Sequence, residues 1–248
     1  MIDWNEYAEE KYIAFVDVLG FSSLVNRFEY RKTFDSKFHY TSNDTFHVVN
    51  NYYYKLLREL WAENGSDLEI TAISDCVIVS SKKLLPNLLM FLYYLQTDMF
   101  YYDAENVKIL MRGYLTKGKF VHNHAQNLIV GEAYQRAVKG EKKTNYPRIE
   151  VDASIVDEIK NPYDLLITKD KYGKKYYLNY LLRDKLQYMC KRIDTKDFIN
   201  ENLQNCSQKI LPKYKWLNKY YERIQEYNIT TEDKEKWRII NPPKEWDL

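Results

Sequence analysis

The sequence predicts an α+β fold in which an antiparallel sheet flanked by helices is followed by a C-terminal helical extension. Three observations carry this. Short β-prone runs alternate with long helical stretches over the first two thirds of the chain; two strands lie almost back to back about a third of the way along it; and beyond Asn179 the composition turns to Lys, Asn, Gln and Tyr at helical spacing. The 248-residue chain is accordingly divided into a catalytic-sized domain over 1–180 and a helical extension over 181–248.

The first element is the apolar run Tyr12 to Val18, which stops at Gly20 and predicts a central strand ending in a tight turn, with Asp17 at its end. Phe46, Val49, Tyr53, Leu56, Leu57 and Leu60 recur at helical spacing, so a helix is predicted from Ser42 to Trp61. Leu68 to Ile73 and Val77 to Ser81 predict a hairpin with Asp75 at its tip. Pro86 suits the first turn of a helix reaching Tyr102. A strand from Val107 to Lys117, a second strand from Lys119, a helix after Gly131 and a last strand pair at Leu165 to Thr168 and Lys175 to Leu178 complete the domain. Strand, helix, hairpin, helix, strand is the order of a ferredoxin-like split βαβ unit, in which the first strand lies beside the hairpin. That topology brings Asp17 and Asp75 together.

Composition removes several function classes. Hydrophobic residues make up 45% of the chain, enough for a core, and the 24 tyrosines supply bulk with a wet edge. A net charge of +2 gives no global attraction to nucleic acid or to an anionic membrane. Cys76, Cys190 and Cys206 are far apart and lack C-x-x-C spacing, which points away from a disulfide framework and towards a reducing cytoplasm. The N-terminus is acidic and polar, and no apolar run has the length of a membrane span.

Two carboxylates a few ångströms apart stay ionised at low cost when a cation lies between them. Mg²⁺ or Mn²⁺, which prefer oxygen ligands and bridge carboxylates to phosphate oxygens, are the expected partners of Asp17 and Asp75.

Phe15-Val16-Asp17-Val18-Leu19-Gly20-Phe21-Ser22 resembles the first metal motif of class III nucleotide cyclases. Asp75 resembles the second metal aspartate, Arg112 to Gly118 the following strand, and Gly131-Glu132-Ala133 with Ala137 the substrate-side helix, so the resemblance covers about residues 10 to 180 in order. It implies two metals held by Asp17, Asp75 and the backbone carbonyl of Val18. It further implies triphosphate contacts in the turn Leu19 to Ser22, and a homodimer with active sites at the interface. The implied substrate-binding residues are Phe15, Leu19, Gly20, Phe21, Thr71, Gln135 and Lys171, with Lys169 the alternative to Lys171. Arg136 or Lys139 is the implied cation for the transition state.

The departures from purine cyclases are informative. Thr71 stands where a charged residue reads the purine, Leu128 stands at the other base-reading position, and Gln135 and Lys139 replace an asparagine and an arginine. A small hydroxyl permits a pyrimidine. With Gly131, Ala133 and Tyr134, these features resemble the pyrimidine cyclases of Pycsar anti-phage systems, which implies UTP or CTP as substrate and a cyclic-nucleotide effector downstream.

Other signals are read as structural. Gly113 to Lys119 fits G-x-x-x-x-G-K, but Phe120 replaces the metal-binding hydroxyl and the segment reads as a strand. His122 and His124 read as surface histidines on a strand, Asn51 to Tyr54 as helix packing, and Lys213, Lys215, Lys219 and Arg223 as a solvated helix face. A cyclase-like binding module without chemistry and a palm-type nucleotidyltransferase are the competing functions. Retention of both aspartates opposes the first, and near-neutral charge the second.

Overall fold

The computed structural model describes residues 8–21, 67–82, 85–101, 108–123, 126, 128–186 and 195–241. The helix predicted over Ser42 to Trp61, with Asn51 to Tyr54, lies outside the described residues, as does His124.

Strand β1 spans Glu9–Val18, β2 Leu68–Ile73, β3 Cys76–Ser81 and β4 Met111–Asn123, with helix α1, Leu85–Tyr101, between β3 and β4. They are joined by β5 (Leu128–Gly131), helix α2 (Glu132–Lys143), β6 (Ile149–Val151), β7 (Ile167–Lys169) and β8 (Tyr176–Leu178). The sheet order is β2-β3-β1-β4-β6-β8-β7, with β5 on β4. The first four strands thus stand in the split βαβ order, and β1 is flanked on both sides by antiparallel partners.

Two expectations change. The sheet is mixed, because β6 runs parallel to β4; α2 carries the chain back across the sheet, which is the length of crossover a parallel pair needs. The two strands expected on either side of Gly118 are one strand of 13 residues. Gly118 makes no turn; a Cβ there would lie 3.3 Å from that of Ala133, so this glycine admits α2 close to the sheet. The short β5 and β6 have no counterpart in the sequence reading.

Alternation along β1 divides its side chains between the two faces of the sheet. Ala14, Val16 and Val18, with Val77 and Val79 of β3, join Leu88, Leu89, Leu92 and Leu95 of α1 in the main core. Each such leucine contributes about 1.5–3 kcal/mol on burial. On the opposite face Ile13, Ile78 and Phe120 meet Ala133 and Ala137 of α2, a much smaller cluster among the described residues.

The C-terminal helices are α3 (Thr195–Asn205), α4 (Leu211–Glu226) and α5 (Thr231–Ile240), the last begun by a Thr230–Asp233 capping box. They are built into the domain. Trp237 and Ile240 belong to the main core, and the Trp237 ring lies 6.0 Å from Tyr93. Leu217, Tyr220 and Ile224 pack with Phe100, Leu110, Tyr177 and Tyr180, and Leu19 packs against the same cluster. The buried Arg148 pairs with Glu150 at 2.6 Å and lies against the rings of Tyr146, Tyr177 and Trp216. Arg223, expected on a solvated face, donates to the Lys169 carbonyl at 2.8 Å and to the Tyr177 hydroxyl, because α4 is folded onto the β7–β8 end of the sheet.

Because α4 shares a core with α1 and β8, Leu217→Ala should cost as much as Leu89→Ala, about 2–5 kcal/mol each, in one cooperative urea transition followed by circular dichroism. An unmoved midpoint for Leu217→Ala would show the extension to be peripheral.

Candidate active site

The site is built by registers. Antiparallel pairing sets Asp17 opposite Cys76 on β3 and opposite Arg112 on β4. The β2–β3 turn, where Ser74 takes φ +57°, projects Asp75 beside them. Val18 N–H donates to the Asp75 carbonyl at 3.1 Å, which ties the hairpin tip to the end of β1. As a result, one ligand atom each of Asp17, Asp75 and Cys76 lies within 4.8 Å of the others.

The carboxylates of Asp17, Asp75 and Glu141 gather around Cys76. Arg112 grips Asp17 Oδ2 through Nε at 3.2 Å and Nη2 at 3.1 Å. Its Nε is also 2.5 Å from Oε1 of the buried Glu141, an ion pair without hydrogen-bond geometry. One guanidinium is therefore shared by Asp17 and Glu141. Burial pushes the Asp17 carboxyl above its ordinary pKa and the nearby Asp75 adds to this, while Arg112 opposes both. Glu141 is raised in the same way, by burial first and by Asp17, again against Arg112. The Cys76 thiol is pushed up to about 12 by burial and then by Asp17 and Asp75; it keeps its proton and approaches Asp17 Oδ1 at 3.5 Å.

A divalent cation fits this donor set. The two carboxylates are hard oxygen ligands whose mutual repulsion a cation removes, and the protonated thiol is not a ligand that Mg²⁺ or Mn²⁺ selects. Asp17, Asp75 and the Val18 carbonyl are the residues that would hold it. Past Val18 the chain turns through Leu19 and Gly20, which takes φ +78°, into a helical residue at Phe21; Ser22 lies outside the described residues.

Thr71 lies on β2, four residues before Asp75, and is buried. It lines a cavity of about 470 Å³ with Ala72, Ile73, Ile78, Ile129 and Tyr134. Phe15, on the same face of β1, lies 6.4 Å from the Tyr134 ring. His122 is not a surface residue: it is 3% exposed, and its ring nitrogens contact Thr71 Oγ1 at 2.9 Å and Ser80 Oγ at 2.8 Å. Beyond β1 the end of β4 pairs with β5, and there its side chains meet those of β2 and β3.

The remaining expected residues lie on α2 and at the β7–β8 turn. Gln135 and Lys139 are exposed on α2, one turn from each other. Arg136 is held by Glu132 at 2.6 Å and by the Lys117 carbonyl at 3.1 Å. Lys117 pairs with Tyr12, five residues from Asp17 along β1, or roughly 16 Å at about 3.3 Å per residue. Lys169 and Lys171 are exposed at the β7–β8 turn on the far side of the sheet.

The sequence reading missed Glu141, His122 and Lys213. Glu141 was detectable as an acid on the apolar stripe of Ala133 and Ala137. Lys213, read as solvated, is half-buried near the site: burial and Arg112 lower its pKa, and Asp17 opposes them.

No protein-family model matches the chain, and a search of curated proteins found none similar to it. Among solved structures it is similar to a bacterial light-regulated adenylyl cyclase, at 16% identity and TM-score 0.50, over 81% of this chain and 58% of that one. It therefore spans less than two thirds of that neighbour. It is also similar to the catalytic core of a rhodopsin-guanylyl cyclase with converted specificity, in complex with ATPαS, at 15% identity and TM-score 0.50, over 69% of this chain and 95% of that one. These likenesses show the fold: an α+β mixed sheet flanked by helices, as in class III cyclases.

The raised Asp17 pKa fixes the sign of a pH effect. The folded, metal-free protein keeps a proton that the unfolded chain has released, so this group's contribution to stability falls as pH rises from about 4. Asp75→Asn should therefore stabilise the EDTA-treated protein at pH 7, on the order of 1 kcal/mol, with the gain lost below about pH 3. The same variant should lose the Mn²⁺-induced rise in Tm, which corresponds to about 2.7 kcal/mol at a hundredfold excess over Kd. Thermal unfolding with and without Mn²⁺ checks both.

Proposed function

We propose that this chain is a metal-dependent nucleotide cyclase that converts UTP to 3′,5′-cyclic UMP and pyrophosphate. The observation that carries the reading is the close approach of Asp17 and Asp75 at the end of β1, on a cyclase-type sheet. In the reaction the ribose 3′-oxygen bonds to the α-phosphorus, the bond from that phosphorus to the bridging oxygen of pyrophosphate breaks, and the hydroxyl proton leaves to solvent. Two Mg²⁺ or Mn²⁺ ions, when bound, would acidify the hydroxyl and neutralise the leaving pyrophosphate.

The chain's own residues divide the remaining work. Asp17, Asp75 and the Val18 carbonyl hold the cations, and the turn Leu19 to Phe21 offers backbone N–H groups to the triphosphate. Phe15 and Thr71 border the place for the base, and Gln135 orients the ribose. Since Arg136 is engaged by Glu132 and the Lys117 carbonyl, we assign the transition-state cation to Lys139. Lys171 is assigned to the phosphates.

The place of Lys171 at the far edge of the sheet supports a homodimer in which one copy supplies Asp17 and Asp75, and the other supplies Lys171 together with Lys139 from the exposed face of α2. Cyclic UMP would then serve as an alarm signal to an effector in anti-phage defence, the setting of the Pycsar enzymes that the sequence resembles. The small uncharged Thr71 favours a pyrimidine over a purine.

Incubation with each NTP and Mn²⁺, with products resolved by mass spectrometry, should give cyclic UMP from wild type and none from Asp75→Asn; cyclic CMP would move the assignment to a cytidylate cyclase. Lys139→Ala should lower kcat about 10²-fold. Mixing the two variants should restore about a quarter of the wild-type rate, the statistical share of intact sites in a randomly mixed twofold dimer. No product from any NTP, with tight binding retained, would identify a nucleotide-binding module instead.

A further inference from the structure

Helix α4 begins beside the turn that follows β1, and it brings a lysine there. Leu217, Tyr220 and Ile224 are its buried residues, and Leu19 packs against the cluster that they build with Leu110. Leu19 N–H donates to the Leu110 carbonyl at 2.7 Å, and Arg112 follows two residues later, so the turn, the entry to β4 and the start of α4 meet at one place. Lys213 stands four residues before Leu217, on the same face of the helix and one turn nearer its start. It is half-buried, whereas Lys215 and Lys219 on the same helix are exposed.

Stability does not explain a cation at this position. The first turn of a helix disfavours positive charge, and α4 has no acid there to offset it. Burial and then Arg112 hold the Lys213 pKa below the ordinary lysine value. Among the described residues the carboxylate that acts on Lys213 is Asp17, which Arg112 already grips through two nitrogens. A polyphosphate would offset these costs. It brings several anionic oxygens, and an ε-ammonium, a point charge on a flexible stem, meets them without a fixed geometry.

We propose that Lys213 is a phosphate-binding residue, by which the C-terminal extension grips the triphosphate of the substrate from the same copy that holds Asp17 and Asp75. This rests on the reading of the site as a nucleoside triphosphate site, and it gives the extension a part in substrate binding besides its part in the core.

Inorganic tripolyphosphate, and 3′-deoxy-UTP, which lacks the attacking hydroxyl, measure this grip without turnover. Each is titrated calorimetrically into the full-length protein at saturating Mn²⁺, and Mn²⁺ is titrated alone into the metal-free protein. Lys213→Met, which keeps an apolar stem and removes the charge, should weaken both polyphosphates about 10-fold. It should leave Mn²⁺ alone bound as tightly as in wild type or more so, since a positive charge near Asp17 is lost. Lys215→Ala should bind all three as wild type does. Wild-type polyphosphate affinity in Lys213→Met, a loss shared by Lys215→Ala, or no binding of either polyphosphate by wild type would overturn the proposal. So would a matching loss of Mn²⁺ binding in Lys213→Met, the mark of a lysine that only supports the fold. Lys213-dependent polyphosphate binding in a protein that yields no cyclic product from any NTP would leave the proposal standing and remove the cyclase reading. Cyclic product formed by Lys213→Met with an unchanged KM would do the reverse.

Discussion

Everything at the site depends on the placement of Asp17 and Asp75 side by side in a half-buried place. Backbone pairing forces the proximity: the Asp17–Cys76 register and the Val18 to Asp75 hydrogen bond are parts of the sheet. Arg112 relieves part of the repulsion, but Glu141 claims the same guanidinium. Such an arrangement costs the metal-free fold stability, and a bound cation offsets that cost. A site of this kind is explained by what it binds rather than by what it contributes to folding.

The two faces of the sheet are used differently. One face is filled by α1 and α5 and supplies the rigidity on which the register rests. On the other, among the described residues, α2 packs along Ala133 and Ala137, beside the cavity at Thr71, with Gln135 and Lys139 exposed. The C-terminal helices reach the site as well, because the cluster around Leu217 and Tyr220 also holds Leu19 in the turn that follows β1.

The aspartates were legible in the sequence because their signals are local: an apolar strand that stops at Asp17, and a hairpin with Asp75 at its tip. The order of the first four strands followed from the order of elements. Contacts made by the curl of the sheet were not legible. Alternation placed His122 on one face of a strand but could not say that β4 outruns β1 and turns that face onto β2 and β3, and Gly118 read as a break because its role is to admit a helix from elsewhere. Three- and four-residue strands such as β6 and β5 carry too few residues for a period. Lys213 sits on a helix whose spacing is sound, yet only the tertiary docking of α4 brings it near Arg112 and Asp17.

The most direct test of the central claim is anomalous X-ray scattering at the manganese edge from crystals grown with Mn²⁺ and a non-cyclisable triphosphate. The account predicts two peaks between the carboxylates of Asp17 and Asp75 and the phosphate oxygens, with Cys76 outside the coordination shell. Manganese bound elsewhere, or triphosphate bound with no anomalous peak at this pair, would contradict it.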